Sequence, residues 1–236
     1  MKFTAEQQII HELLLRSSIE NDLGLFYGKT GLVLFFVHYF EQTNNPVFED
    51  TANELVEELM EEIYQELPIG FASGLSGIGW GLEYLIQNGL YKGDSLEICE
   101  EIDNKIMEKD LRRMNDYTLD SGLEGLLHYI LAHLKGVMTK HAKLPFDEIY
   151  LNDLYQTVLN ISWKSKFSKD FKILSENYLH FYETRTELNY SLKLSSFIED
   201  MKIDIKNLHS LPLGLRKGLS GYMLKTIMNY EGSLYY

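Results

Sequence analysis

Apolar residues in this chain fall into two kinds of run. The first kind is apolar over more than one face: Leu32-Val33-Leu34-Phe35-Phe36-Val37, Ile78 through Ile86, Leu126-Leu127 with Ile130-Leu131, and Tyr222-Met223-Leu224 with Ile227-Met228. Such runs predict helices with little solvent-facing surface. The second kind interleaves acids with apolar residues three to four apart, as in Phe48 to Leu67, where Leu55, Val56, Leu59 and Ile63 recur among Glu54, Glu57, Glu58, Glu61 and Glu62. That spacing predicts outer helices with one wet face. Thr4 ahead of Glu6 and Gln7 caps the first helix, and Asn45-Pro46 opens the third.

Pairing outer with inner runs predicts five helical hairpins: 4–21 with 29–42, 46–66 with 75–89, 95–114 with 123–138, 146–162 with 167–184, and 189–206 with 217–230. The expected class is all-α, an α/α toroid or an incomplete α/α barrel built as one domain over 1–236. A glycine motif sets the period. Gly24, Gly28 and Gly31 recur as Gly70, Gly74 and Gly77 and as Gly214, Gly218 and Gly221, with a partial copy at Gly122 and Gly125. The last glycines are 46, 48 and 96 residues apart, so one unit near residue 173 has lost its glycines and its hairpin is expected to be the irregular one. The first glycine of each copy suits a left-handed turn, and the next two suit close backbone approach.

Composition narrows the function. The chain has 236 residues, 45% of them hydrophobic and 24% charged, the usage of an ordinary globular protein. Residues 1–120 hold 8 Lys or Arg against 23 Asp or Glu, and 121–236 hold 14 against 12. No basic stripe is present to neutralise phosphates, so nucleic acid is excluded as a partner. With no apolar stretch of spanning length and no basic leader, no membrane association and a cytoplasmic location are expected. The single cysteine, Cys99, allows no internal disulfide and lies in an outer-helix pattern, where packing is its expected role.

The units Leu25 to Leu32, Phe71 to Ile78, Leu119 to Leu126 and Leu215 to Tyr222 resemble the inner-helix motifs of the lanthionine synthetase C-like family, the peptide cyclases of lantibiotic maturation. The resemblance implies an α/α barrel of seven hairpins with zinc at one end, of which five hairpins would supply part. It also implies zinc ligands just before the later Gly-x-x-Gly units, a cysteine two positions before the first glycine of the pair and, in a Cys-His-Gly pattern, a histidine beside it. Those positions hold Phe26, Ala72, Asp120 and Arg216, and Tyr27, Ser73, Ser121 and Lys217. The expectation is therefore a divergent member without zinc ligands or other cofactor: a non-catalytic peptide-binding or peptide-maturation accessory factor with no zinc-dependent cyclase activity. Two alternatives stay open, a metal-free enzyme on the same superfold and a structural helical-repeat protein.

Candidate chemistry is sparse. His38 and His133 lie about two turns into inner helices, where each is a core hydrogen-bonding residue or a ligand lacking an assured third partner. Asp120 and Glu124, with Glu83 deeper in the second inner helix, could form an acid/base pair of glycosidase type. The simpler role for Asp120 is a helix cap, with Glu124 in the first turn. Tyr27, Tyr39, Tyr84, Tyr129 and Tyr222 line a peptide groove or fill the core. Arg216 and Lys217 are candidates for contact with an acidic segment. Leu219, Met223 and Ile227, followed by Tyr230, Tyr235 and Tyr236, are candidates for an exposed apolar edge, through which the terminal hairpins would form a homodimer.

Overall fold

The computed structural model describes residues 3–63, 66–140, 143–163, 167–186 and 188–233, with the side chains of the last helix as far as residue 228. Tyr235 and Tyr236, and the side chain of Tyr230, lie outside the described residues. Among the described residues there are ten α-helices: α1 (Ala5–Ser17), α2 (Lys29–Thr43), α3 (Pro46–Glu62), α4 (Leu75–Gln87), α5 (Ser95–Ile98), α6 (Glu100–Met107), α7 (Leu123–Met138), α8 (Glu148–Leu159), α9 (Lys169–Thr184) and α10 (Leu219–Ser233). Among the described residues there is no strand, and the all-α class holds. No described helix is long and apolar enough to cross a membrane.

The chain divides into two compact units, one of residues 1–66 with 193–236 and one of 67–192. In the first, α2 is the centre, buried from Lys29 to Val37, with α3 packed along it on one side and α10 on another. Leu219, Met223 and Ile227 are buried in this unit, so the expected exposed edge is not formed by them. In the second unit α4 packs on α7 and α7 on α9, while α6 lies against α4, α5 against α7 and α8 against α9. Inner and outer helices thus alternate there as the hydrophobic pattern predicts.

The glycine motif acts through close approach. The expected left-handed turn is absent: among the described glycines only Gly89 has a positive φ, and Gly28, Gly74 and Gly122 are extended N-caps with no side chain to cap the helix. The carbonyl seven residues back does the capping instead. Lys29 N–H donates to Asp22 O at 2.7 Å, Leu75 to Pro68 at 2.9 Å, Leu123 to Asp116 at 3.0 Å and Leu219 to Pro212 at 2.9 Å. For the loop to fold back this far, the N-cap can carry no Cβ, since a methyl on Gly122 would lie 2.6 Å from Asp116 O.

Three expectations fail in detail. The outer segment 95–114 is broken at Cys99, which is at once the C-cap of α5 and the N-cap of α6. The fifth outer segment, 189–206, forms no α-helix; it holds a 3-10 turn at Leu194–Phe197, and a second follows at Ile205–Ser210. The fourth hairpin, expected to be irregular, is two regular helices, because α9 has a different start. Ser168 accepts from Phe171 N–H at 2.8 Å and donates to Glu124 Oε1 at 2.7 Å, so a side-chain cap replaces the glycine loop.

Candidate metal centre

Two glycines let the inner helices of the second unit approach closely. A Cβ on Gly79 of α4 would collide with the Tyr129 ring, and one on Gly136 of α7 would collide with the Glu83 carboxylate and lie 2.7 Å from Gln87 Nε2. Into this close contact each helix sends a polar group. Glu83 of α4 and His133 of α7 are fully buried, and Asp103 of α6 is 2% exposed. His133 Nδ1 lies 2.5 Å from Glu83 Oε1, and Nε2 lies 2.8 Å from Asp103 Oδ2. Tyr129 donates to Asp103 Oδ1 at 2.6 Å, and Gln87 donates to Glu83 Oε2 at 2.5 Å. Every polar group named here has a partner, as burial demands.

Burial works against charge on His133, but the hydrogen bonds and charges of Asp103 and Glu83 outweigh it and raise its pKa to about 9. The imidazolium therefore donates from both nitrogens. Burial also raises Asp103, against the bonds from His133 and Tyr129 that favour its charged form. Cys99 completes the cluster from the break between α5 and α6. Burial, then the charges of Glu83 and Asp103, push its thiol well above its usual range.

One ligand atom each from Glu83, Cys99 and His133 lie within 4.8 Å of one another, all three residues buried. Carboxylate oxygen, imidazole nitrogen and thiolate sulfur are the donor types that zinc takes, and three protein donors leave a fourth position free. The residues fit the metal: a dication would replace the proton that His133 shares with Glu83 and the one on Cys99. Asp103 would stay on the other imidazole nitrogen, the arrangement that orients a ligating histidine. The expectations of a chain without metal ligands, without zinc-dependent activity and confined to a non-catalytic role are overturned by this cluster. Cys99, read as a packing residue, is one of its members.

The other candidates are placed as follows. His38, half-buried and lowered in pKa by burial, belongs to the first unit and His133 to the second. Asp120 does not cap α7, whose N-cap is Gly122; its carbonyl accepts from Phe71 and Ala72 N–H at 2.8 and 2.9 Å, joining two copies of the glycine motif. Glu124, raised in pKa chiefly by burial, buttresses Ser168. Tyr84 and Tyr129 are buried in the second unit, whereas Tyr27 and Tyr222 are exposed in the first and Tyr39 is half-buried there. The Arg216 guanidinium lies 3.9 Å from the centre of the Phe26 ring and 3.6 Å from Glu199, and Lys217 Nζ is 2.8 Å from the same carboxylate. Asp103 was not legible as a site residue, although Cys99, Ile102, Asp103 and Ile106 share one buried helix face.

Helices entered through glycine loops, with a buried Glu, Cys and His in the second unit whose donor atoms could hold a metal ion, make this an α/α protein with a candidate metal site. The family model described as lanthionine synthetase C-like protein matches residues 20–182, well over half of the 236, and the chain belongs to that family. The glycine copy at 214–221 lies beyond the matched segment. No curated protein matches the chain.

Proposed function

We propose that this chain is a metal-dependent enzyme of the lanthionine synthetase C-like family, with one zinc ion held by Glu83, Cys99 and His133. The observation that carries this reading is the convergence of the three donors within 4.8 Å in a buried site. When bound there, zinc supplies what the family's chemistry needs, the lowering of a substrate thiol's pKa so that it is held as a nucleophilic thiolate. The chain's own groups do the rest. Asp103 holds the imidazole by its Nε2 proton and Tyr129 holds Asp103, so the histidine ring is fixed from behind. Gln87 donates to Glu83 Oε2, leaving Oε1, the oxygen beside His133 Nδ1, as the one that would be offered to a metal. Burial excludes water from the thiolate. The substrate class on this reading is a peptide offering a cysteine thiol and an unsaturated acceptor.

The test is elemental analysis of the purified protein after dialysis, followed by thioether formation on such a peptide. About one zinc per chain is expected, lost in Cys99→Ser and His133→Leu together with thiol consumption. A wild-type protein that takes up no zinc at saturating metal overturns the reading.

A further inference from the structure

The three donors are sealed, so a metal ion needs a route to them. A cavity of about 630 Å³ opens between α5–α6 and the segment that leads into α8. Its lining includes Asp103, whose Oδ2 lies 2.8 Å from His133 Nε2. Asp103 is thus a wall of the cavity on one side and a partner of the metal ligand on the other. Leu96, Met107, Leu144 and Phe146 make the walls apolar, which keeps the dielectric low around whatever charge enters. Carboxylates dominate the polar lining. Glu97 and Glu100 are exposed on α5 and α6, Asp147 and Glu148 lie opposite, and Lys143 is the one cation among the described lining residues. Two of these acids are engaged, since Asp147 caps α8 through Tyr150 N–H at 2.7 Å and Glu148 pairs with Arg185 at 2.7 Å.

We propose that this cavity is the port through which a divalent cation reaches the buried centre, with Glu97 and Glu100 drawing it in toward the wall that Asp103 forms. The occupant follows from charge: a cleft lined by one sign of charge between low-dielectric walls concentrates the opposite sign and speeds its arrival. This inference rests on the metal centre proposed above. Asp103 is the inner wall of the port and keeps its bond to the imidazole.

The experiment mixes metal-free protein with cobalt(II) and follows the thiolate-to-cobalt charge-transfer absorption that Cys99 gives on ligation. The variants are Glu97→Gln with Glu100→Gln, and Asn104→Arg, which adds a cation at an exposed lining position of α6. Each should slow uptake about tenfold at low ionic strength, with the final absorbance unchanged. Added salt should bring the wild-type rate down toward that of the variants. Uptake at the wild-type rate in both variants, with the full band, overturns the port and leaves the metal centre standing. Absence of the band in wild type at saturating cobalt overturns the metal centre itself.

Discussion

His133 and Glu83 sit fifty residues apart in sequence, on α7 and α4, and meet at 2.5 Å with neither side chain exposed. An imidazolium between two carboxylates holds three charged groups out of water. Such a cluster contributes little beyond a hydrophobic replacement while it is intact, yet losing its central cation leaves uncompensated buried charge.

The metal-free protein should therefore lose about 3–5 kcal/mol of stability in His133→Leu, which strands Glu83 and Asp103. Glu83→Gln keeps the pair with Asp103 and should cost less, about 1–3 kcal/mol. Urea unfolding of the two variants in chelator measures both. Zinc should then raise the wild-type midpoint and leave that of His133→Leu where it was, because only a native-state site is stabilised by its ligand. A cost under about 1 kcal/mol for His133→Leu would show that the triad is not charged.

At the α9 start a side chain replaces the glycine loop. Ser168→Ala removes the hydroxyl that caps Phe171 N–H and ties down Glu124, and should cost about 1 kcal/mol. Glu124→Gln can keep the contact by accepting through its amide oxygen. The coupling between the two positions is read from a double-mutant cycle of Ser168→Ala with Glu124→Ala, which removes the contact; energies that simply add would refute a shared contact.

How much of this was written in the sequence depends on the range of the interaction. The inner helices were legible because Leu32 to Val37 and Ile78 to Ile86 are apolar on all sides, and periodicity is a local property. The glycine spacing marked the helix starts, but the reason for it, a carbonyl seven residues back, appears only once the loop is folded. The fifth outer segment carried helix-like spacing and formed 3-10 turns, so tertiary context overrode a weak propensity there. The metal centre was the least legible part. Glu83 and His133 each stand out as charged or titratable groups in an apolar run, but no spacing rule links residues on α4, α6 and α7. The positions at which the resemblance implies a cysteine ligand hold Phe26, Ala72, Asp120 and Arg216, and none of these belongs to the donor set of Glu83, Cys99 and His133.

His128, five residues before His133 on the same helix, has the opposite electrostatic character. Burial lowers its pKa to about 4. Tyr190 hydroxyl accepts from Trp80 Nε1–H at 2.8 Å and gives its own proton to His128 Nδ1 at 2.9 Å, a contact that needs a neutral imidazole. The unfolded chain takes up a proton at this histidine near pH 6.5 and the folded chain only near 4, so the unfolded state binds more protons between those values. Stability from this group is complete above about pH 6.5 and declines as pH falls toward 4. Thermal or urea midpoints measured between pH 7 and 4.5 should fall more steeply for wild type than for His128→Gln. Parallel curves would place the acid sensitivity at other groups.

Gly136 offers a test of whether helix spacing controls the metal centre. It has no direct chemistry, yet a methyl there would run into the Glu83 carboxylate and the Gln87 amide. Gly136→Ala has a helix-propensity advantage of up to about 1 kcal/mol. Forcing α4 and α7 apart, or Glu83 off its rotamer, costs about 1–3 kcal/mol as in other overpacked cores. The second term should win, giving a net loss of stability in the metal-free protein. The sharper readout is cobalt affinity, because Glu83 must stay within reach of Cys99 and His133 for three donors to converge. Gly136→Ala should weaken cobalt binding at least tenfold while leaving far-ultraviolet circular dichroism unchanged. Gly89→Ala serves as the control: its site is open space and its positive φ makes it costly for stability, but it touches no donor. If the two variants lower cobalt affinity equally, the effect belongs to general destabilisation and the spacing of α4 and α7 does not set the site.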